Sequence, residues 1–322
     1  MKLSIIIPTY NRKERLHRVL DGLRLQVPQV VGGAEIVVVD DGSTDGTFES
    51  LSKRIRLAQI RAYRQTNQGP AAARNLAAKE AKGELIFFLD DDMLPEPGLL
   101  AAHLEAHERH IDPDFALAVL GYPTWVASSW QEARFYNHLN ENGLYFGYSL
   151  IEDPDSLPFF NFYTCSTSLQ RSVFLAHGGF DTEFPKAAYE DFEFGYRAMV
   201  KGCPGIPKLK LVLCREARTR HENPLTFDSY LTRQRMIGRW TLIFLRKHPE
   251  LSDWLGIDRA ISLSPNKPWR VSFMEMVARL GHKIPIPVPL WYYNRTSDWA
   301  FLQGVREGFE ESPDFRPVSD LG

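Results

Sequence analysis

The chain has 322 residues, 44% of them hydrophobic and 24% charged, with a formal net charge of -2. This length suits one large α/β domain with an extension, or two domains, and the near-neutral balance excludes a global field for nucleic acid. Its cysteines, Cys165, Cys203 and Cys214, have no metal-ligand spacing, which excludes a disulfide scaffold and points to a reducing compartment, hence a cytoplasmic protein.

Leu3–Ile7 predicts a first buried strand, ended by Pro8-Thr9-Tyr10-Asn11. The apolar run is too short for a signal peptide, and no stretch reaches the roughly 18 apolar residues of a bilayer span. A helix is predicted from about Arg12 to Gln26, with Leu16, Val19, Leu20 and Leu23 at helical spacing. Glu35–Val39 predicts a second strand that ends at Asp40-Asp41-Gly42-Ser43. Ser43 or Thr44 is placed to cap the next helix, with Asp45 in its first turn, although the same residues are good turn formers. A third strand near Ile60–Arg64 leads through Asn67-Gln68-Gly69-Pro70 into an alanine-rich helix, Ala71–Ala81, that Gly83 closes.

The chain is organised around Glu84–Pro95, ELIFFLDDDMLP. Leu85–Leu89 has no polar break, as in a strand buried on both faces of a parallel sheet. It runs into Asp90, Asp91 and Asp92, and Pro95 and Pro97 stop it. Continued strand alternation would turn Asp90 and Asp92 to one side and Asp91 to the other. Adjacent acids repel unless a cation joins them, and a carboxylate-rich site suits Mg²⁺ or Mn²⁺ sharing its shell with phosphates. The bland alternative is a solvated acidic turn. Strand and helix alternate four times up to Asp92, which predicts a doubly wound, mostly parallel sheet. Polar groups at three strand ends, Thr9-Tyr10, Asp40-Asp41 and Asp90–Asp92, suit a nucleotide-sized ligand.

Leu99–His110 then predicts a helix and Phe115–Gly121 a strand. In 125–155, Trp130, Phe135, Tyr136, Tyr145, Phe146 and Tyr148 are expected to pack under a loop rather than stack on sugar. Tyr163–Leu169 returns to the sheet, and Gly179 permits a close turn into Phe180-Asp181. Glu190–Lys201 is a helix closed by Gly202, with Glu190 and Asp191 in its first turn, where acids commonly serve the helix terminus alone. Leu209–Cys214 and Ala217–His221 are expected to pair as strands. A long helix follows from Thr226 to Lys247, with Arg235 and Arg239 on one face. Residues 267–295 mix basic, aromatic and proline residues; packing on the main domain is expected, with a membrane surface or a homodimer contact as alternatives. Pro285, Pro287 and Pro289 exclude a continuous helix there.

The ordered set SIIIPTYNR, EIVVVDDGSTDGT, NQGPAAARN, GELIFFLDDDM, GGFDTEF and YEDFEFGYR resembles family 2 glycosyltransferases with the GT-A fold. The resemblance implies a GT-A catalytic domain over 1–225, with 226–322 as a helical extension. It implies inverting transfer from a nucleotide-sugar, a UDP-sugar in first place, with Mn²⁺ or Mg²⁺ on the diphosphate. Pro8, Thr9, Tyr10, Asp40, Asn67 and Arg74 match its nucleotide positions, with Asp90 and Asp91 near the ribose and the metal-bound waters. Asp92 matches the direct metal ligand and Asp191 the catalytic base. His221 is a candidate second ligand, as in some members, and Gly179, Glu190, Arg235 and Arg239 are candidate diphosphate or acceptor contacts. Without the resemblance, Tyr10 reads as strand-end packing, Arg74 as a partner of Glu80 or of solvent, and His221 as structural. The Gln234–Trp240 run departs from the Q-x-x-R-W pattern of processive relatives, which argues against a polymer-extruding synthase. The acceptor is open between a saccharide, a lipid-linked glycan, a small molecule and a protein side chain, and the lipid-linked case adds contact at the inner membrane face. The alternative from another class is a non-catalytic nucleotide-sugar or glycan-binding module. A nucleotidyltransferase lacks its glycine- and lysine-rich loop here, and a dehydrogenase its G-x-G-x-x-G.

Overall fold

Apolar runs of strand length, separated by amphipathic helical ones, form the first half of an eight-stranded sheet. The computed structural model describes residues 1–52, 59–186, 188–222, 225–255, 267–284 and 287–312. In chain order its first elements are β1 (Leu3–Thr9), α1 (Lys13–Leu23), β2 (Ala34–Asp40), α2 (Thr47–Leu51), β3 (Ile60–Arg64), α3 (Pro70–Glu80) and β4 (Leu85–Leu89). β1 pairs in parallel with β2 and β4, and β2 with β3. Every residue of β2 and of β4 is buried, the physical basis of their apolar runs Ile36–Val39 and Leu85–Leu89. Next come β5 (Met93–Pro95), α4 (Leu99–Arg109), β6 (Phe115–Trp125), α5 (Trp130–Glu141), β7 (Ser166–Gln170), α6 (Arg171–Ala176), α7 (Glu190–Gly195) and β8 (Lys208–His221). α7 runs on as a π-helical turn, Tyr196–Lys201, to Gly202.

The strand order is β3-β2-β1-β4-β7-β6-β8-β5. The chain winds outward from β1 through β2 to β3 and then returns to the other side of β1 as β4. The switch point therefore lies between the carboxyl ends of β1 and β4, where α/β sheets bind ligands.

Two local expectations are corrected. Leu209–Cys214 and Ala217–His221 do not pair with each other; they are one long strand, β8, and both halves lie beside β6. The register shifts between Leu120 and Tyr122, and this irregularity lets the paired strands continue past a bend. Ser43 and Thr44 do not cap α2, whose N-cap position is Gly46. Asp45 instead accepts from the Thr47 backbone N–H at 3.0 Å.

Between α4 and the sheet, Ser168 Oγ lies 2.9 Å from both His103 Nδ1 and His107 Nε2. Burial lowers the imidazole pKa of His103 to about 3 and of His107 to about 4, so both are neutral at pH 7. A lowered imidazole pKa gives stability that is present above the ordinary value near 6.5 and lost as pH falls towards those values. The urea midpoint is therefore expected to fall on acidification below about pH 6.5, and less steeply in His103→Gln and His107→Gln. Equal slopes in all three proteins would contradict buried neutral imidazoles.

By its contacts the chain divides into two units, one of residues 1–126 and 148–223 and one of residues 127–147 and 224–322. The second holds α5, α8 (Phe227–Lys247), α9 (Ser252–Leu255), α10 (Trp269–Lys283) and α11 (Leu290–Glu311). Thr226 caps α8, its Oγ1 accepting from the Ser229 backbone N–H at 3.1 Å. Phe135 of α5 is fully buried against Phe227, Tyr230 and Tyr293, which matches its expected packing role. Helix ends at Lys283 and resumes at Leu290 after Pro287 and Pro289; Pro285 lies outside the described residues. Among the described residues no helix is long and apolar enough to cross a membrane.

α8 and α11 cross with glycine on both sides. A Cβ on Gly304 would collide with the Arg235 carbonyl, and one on Gly238 with that of Phe301. Gly304→Ala is therefore expected to destabilise the protein by about 1–3 kcal/mol, because backbone cannot yield as a side-chain tip can. An unchanged urea midpoint would contradict so close a crossing.

Candidate functional site

The carboxyl end of β1 is tied to the turn after β4. Thr9 is buried, and its Oγ1 donates to Asp91 Oδ2 at 2.7 Å across the switch point. Arg12, just before α1, donates from Nη1 to Asp91 Oδ1 at 2.8 Å and to Asp92 Oδ2 at 3.0 Å. Asp91 and Asp92 thus converge on one guanidinium, while Asp90 turns away to Arg74. This corrects the expected alternation. The strand ends at Leu89, and a turn, with the Met93 backbone N–H on the Asp90 carbonyl at 3.1 Å, reorients the acids. Burial pushes the Asp91 carboxyl up to about 6, more than the Arg12 charge lowers it, and the neighbouring charge of Asp92 adds to the rise. Burial works against the Arg12 cation, but Asp91 and Asp92 outweigh it and hold the guanidinium charged.

The same turn reaches the far edge of the sheet. β5 pairs antiparallel with β8 and sets Met93 opposite His221. His221 Nε2 lies 3.9 Å from Asp92 Oδ1, and the ring meets Trp125 edge-on at 6.3 Å. A carboxylate and an imidazole are donors that Mn²⁺ accepts. Among the described residues no three His, Cys, Asp or Glu side chains gather as a metal centre. The chain's own donors fit a cation that takes its other ligands from phosphate oxygens and water.

At the end of β2, Asp40 is fully buried. Its Oδ1 accepts from the Ser43 backbone N–H at 2.8 Å; Oδ2 is buried with no hydrogen-bond partner among the described residues. Asp41 turns the other way and accepts from Gln65 Nε2 and the backbone N–H groups of Gln68 and Gly69, at 2.7, 2.9 and 2.8 Å. It therefore orders the loop that carries the exposed Asn67. Asn11 stands in the left-handed region (φ 52°), and its Oδ1 accepts from the Thr44 backbone N–H at 2.8 Å. Its own backbone N–H donates to Ser43 Oγ at 2.8 Å, so the β1 and β2 loops are joined beside a half-buried Pro8 and an exposed Tyr10.

Arg74 of α3 is the link to the rest of the site. Its side chain is 3% exposed, and Nη2 donates to Asp90 Oδ1 at 2.7 Å while Nη1 donates to Glu190 Oε1 at 3.1 Å. The expected pairing with Glu80 is corrected, since Glu80 accepts from the Tyr63 hydroxyl at 3.0 Å and pairs with Arg61. Burial raises the Glu190 carboxyl above its ordinary range, against the opposing charge of Arg74. The Ala188 backbone N–H donates to Glu190 Oε2 at 2.8 Å. Tyr189, a buried non-glycine residue at φ 72°, turns the chain into α7 in a sparsely populated conformation of the kind found at functional sites. Asp191 follows, partly exposed, with Oδ1 accepting from the Phe192 backbone N–H at 2.9 Å.

Asn75, next to Arg74, clamps the preceding loop. It accepts from the Phe180 backbone N–H at 2.8 Å and donates to the Phe180 carbonyl at 2.7 Å. Gly179 (φ 69°) has no room for a side chain, because a Cβ would stand 2.6 Å from Asn75 Oδ1. Its carbonyl accepts from Arg197 Nη2 at 2.8 Å, and Arg197 also pairs with Glu193 of α7. Arg235 and Arg239 belong to the second unit, where Arg235 pairs with Glu307 and Arg239 with Glu311. The anchors Arg12, Asn11 and Asn75 were not singled out from sequence. Their one signal was position, each lying within PTYNR or AAARN.

The sequence profile of glycosyl transferase family 2 matches residues 4–176. An uncharacterized glycosyltransferase of Bacillus subtilis is 41% identical over 110 residues, which is 34% of this chain and 28% of that protein. The validoxylamine A glucosyltransferase of Streptomyces hygroscopicus subsp. jinggangensis is 31% identical over 228 residues, 63% of this chain and 52% of that protein. The chain thus spans about half, or less, of these relatives' lengths. Among solved structures, Staphylococcus aureus TarS 1–349 superposes with a TM-score of 0.51 at 18% identity, covering 97% of this chain and 92% of that one. The Pyrobaculum calidifontis mannosyltransferase PcManGT, solved with GDP-Man and Mn²⁺, gives 0.52 at 18% identity over 99% and 78% of the two chains. Likeness at this identity shows the fold, a GT-A type α/β sheet.

Proposed function

The chain belongs to glycosyl transferase family 2, and from that premise we propose that it moves a sugar from a nucleotide-sugar donor to an acceptor hydroxyl with inversion. The observation that carries this reading is the chain Asp90–Arg74–Glu190, buried at Arg74 and Glu190, which joins the acid-tipped end of β4 to the first turn of α7, where Asp191 lies. The donor lies across the β1–β4 switch point in this reading. Asp40 Oδ2, buried and without a hydrogen-bond partner among the described residues, accepts the ring N–H of the base. That supports uracil first, with thymine and guanine sharing the chemistry. Pro8, Thr9, Tyr10 and Asn67 border the base, and Asp90 and Asp91 border the ribose and the metal-bound waters.

Asp191 is the proposed base, taking the acceptor proton as the hydroxyl attacks the anomeric carbon. Asp92 and His221 would hold a divalent cation, Mn²⁺ or Mg²⁺, which when bound acts as a Lewis acid on the diphosphate leaving group. Gly179 and Glu190 border the acceptor side. A diphosphate contact from Arg235 or Arg239 would first have to open its pair with Glu307 or Glu311. The neighbours' donors, UDP-GlcNAc for TarS and GDP-Man for PcManGT, give the class of compound to test.

The test is a panel of UDP-, GDP- and dTDP-sugars with Mn²⁺, Mg²⁺ or chelator, read as release of nucleoside diphosphate. Metal-dependent release from one donor is expected, with water able to stand in for the acceptor. A donor that binds without release under any condition, with a saccharide acceptor panel added, would favour a binding module over a transferase. No binding and no release would overturn the assignment of this sheet edge.

A further inference from the structure

We propose that α10 is a docking surface for an anionic lipid bilayer, an inference that goes beyond the donor site and does not depend on it. The register of α10 is set by its inner side. Ala278 is fully buried, and the His282 ring stacks on Phe227 with a centroid distance of 5.8 Å and planes 9° apart. The opposite side is apolar and open. Trp269, Phe273, Met276 and Leu280 are 73%, 47%, 57% and 46% exposed. Their spacing of four, three and four residues keeps them within an arc of about 60°, on a stripe about 16 Å long. Ile284, directly after the helix, is exposed as well. A contiguous exposed stripe of large apolar side chains marks an interaction site rather than ordinary surface.

Charge selects the occupant. In a chain of net charge -2, residues 267–284 carry Lys267, Arg270, Arg279 and Lys283 against the single acid Glu275. Glu275 is bracketed by Lys267 and Arg279. Asp228 of α8, which faces the helix, is held by Arg279 at 2.6 Å. Glu275 and Asp228 are thus each paired with a base, while Glu132 of α5 also lies close enough to act on His282. Arg270 is exposed, its guanidinium 5.7 Å from the Trp269 ring centre. An apolar face with basic flanks and a tryptophan at its start lies in the headgroup boundary of a bilayer, the bases towards lipid phosphates. A second copy of the helix would bring like charges together, whereas anionic lipid attracts them at about 1 kcal/mol per base, roughly a fivefold gain in binding each.

The experiment is flotation of the full chain with vesicles of phosphatidylcholine alone or mixed with phosphatidylglycerol. The protein is expected to float with the mixed vesicles and about tenfold less with phosphatidylcholine. Phe273→Glu combined with Met276→Glu is expected to abolish flotation, and Arg270→Ala to weaken it about fivefold. These positions are exposed, and thermal melts of the variants check that the fold persists. A second readout needs no folded variant: brominated phosphatidylglycerol is expected to quench wild-type tryptophan emission. No flotation with mixed vesicles overturns the proposal, and so does equal flotation of the double variant. A wild-type dimer that the double variant dissolves, without vesicle binding, would assign the face to a second copy instead.

Discussion

Asp191→Asn is expected to lower turnover by about 10²–10⁴-fold while leaving donor affinity unchanged, because the general-base role proposed for it is worth that much and donor binding in that proposal does not use it. Asparagine keeps the size of the side chain and can keep the hydrogen bond that the Phe192 backbone N–H donates to Oδ1. What it loses is the ability to accept a proton. The neighbouring acid supplies the control. Glu190 is fully engaged, with Oε1 on Arg74 and Oε2 on the Ala188 backbone N–H, whereas Asp191 is the partly exposed one. Glu190→Gln should therefore shift stability more than kcat, and Asp191→Asn kcat more than stability. The measurements are kcat from nucleoside diphosphate release and donor Kd by calorimetry, on both variants. If Asp191→Asn turned over within a few fold of wild type, the base would have to be sought elsewhere.

The framework around this candidate site could be read from sequence because it is the part of the fold with the simplest signal. β2 and β4 are buried throughout, so apolar runs marked them, and the polar residues that ended the runs fell at one sheet edge. What could not be read depends on distant pairing. The two halves of β8 looked like a hairpin because residues 215–216 interrupt the pattern; only β6, some ninety residues earlier by its register, makes them one strand. The acids after β4 followed turn geometry rather than strand alternation, and that was decided by Arg12 and Thr9, about 80 residues away. Residues 127–147 showed aromatic content without showing that it belongs with 224–322. Arg74 is the sharpest case. In its own helix it had a local partner at hand in Glu80, but its burial among Asp90 and Glu190 follows from the packing of α3 against elements that come later in the chain.

That burial makes Arg74→Met the substitution with the largest expected effect on stability. The guanidinium is enclosed, and removing it leaves Asp90 and Glu190 without their shared counter-charge. Breaking a buried pair in this way is destabilising by about 3–5 kcal/mol. Urea denaturation of the purified variant checks the value. The double variant Arg74→Met with Glu190→Gln is expected to recover part of the loss, because the uncompensated buried carboxylate is gone. Acid should act in the same direction as that second substitution. The Glu190 carboxyl already sits above its ordinary range through burial, and loss of Arg74 removes the charge that opposes the rise. A raised carboxyl favours the folded state below its unfolded pKa and loses that contribution as pH rises through the folded one. The deficit of Arg74→Met should therefore be smaller near the unfolded carboxyl pKa than at neutrality. A deficit that is independent of pH, with no recovery in the double variant, would mean that Arg74 acts by filling space and that the Asp90–Arg74–Glu190 link carries no electrostatic weight.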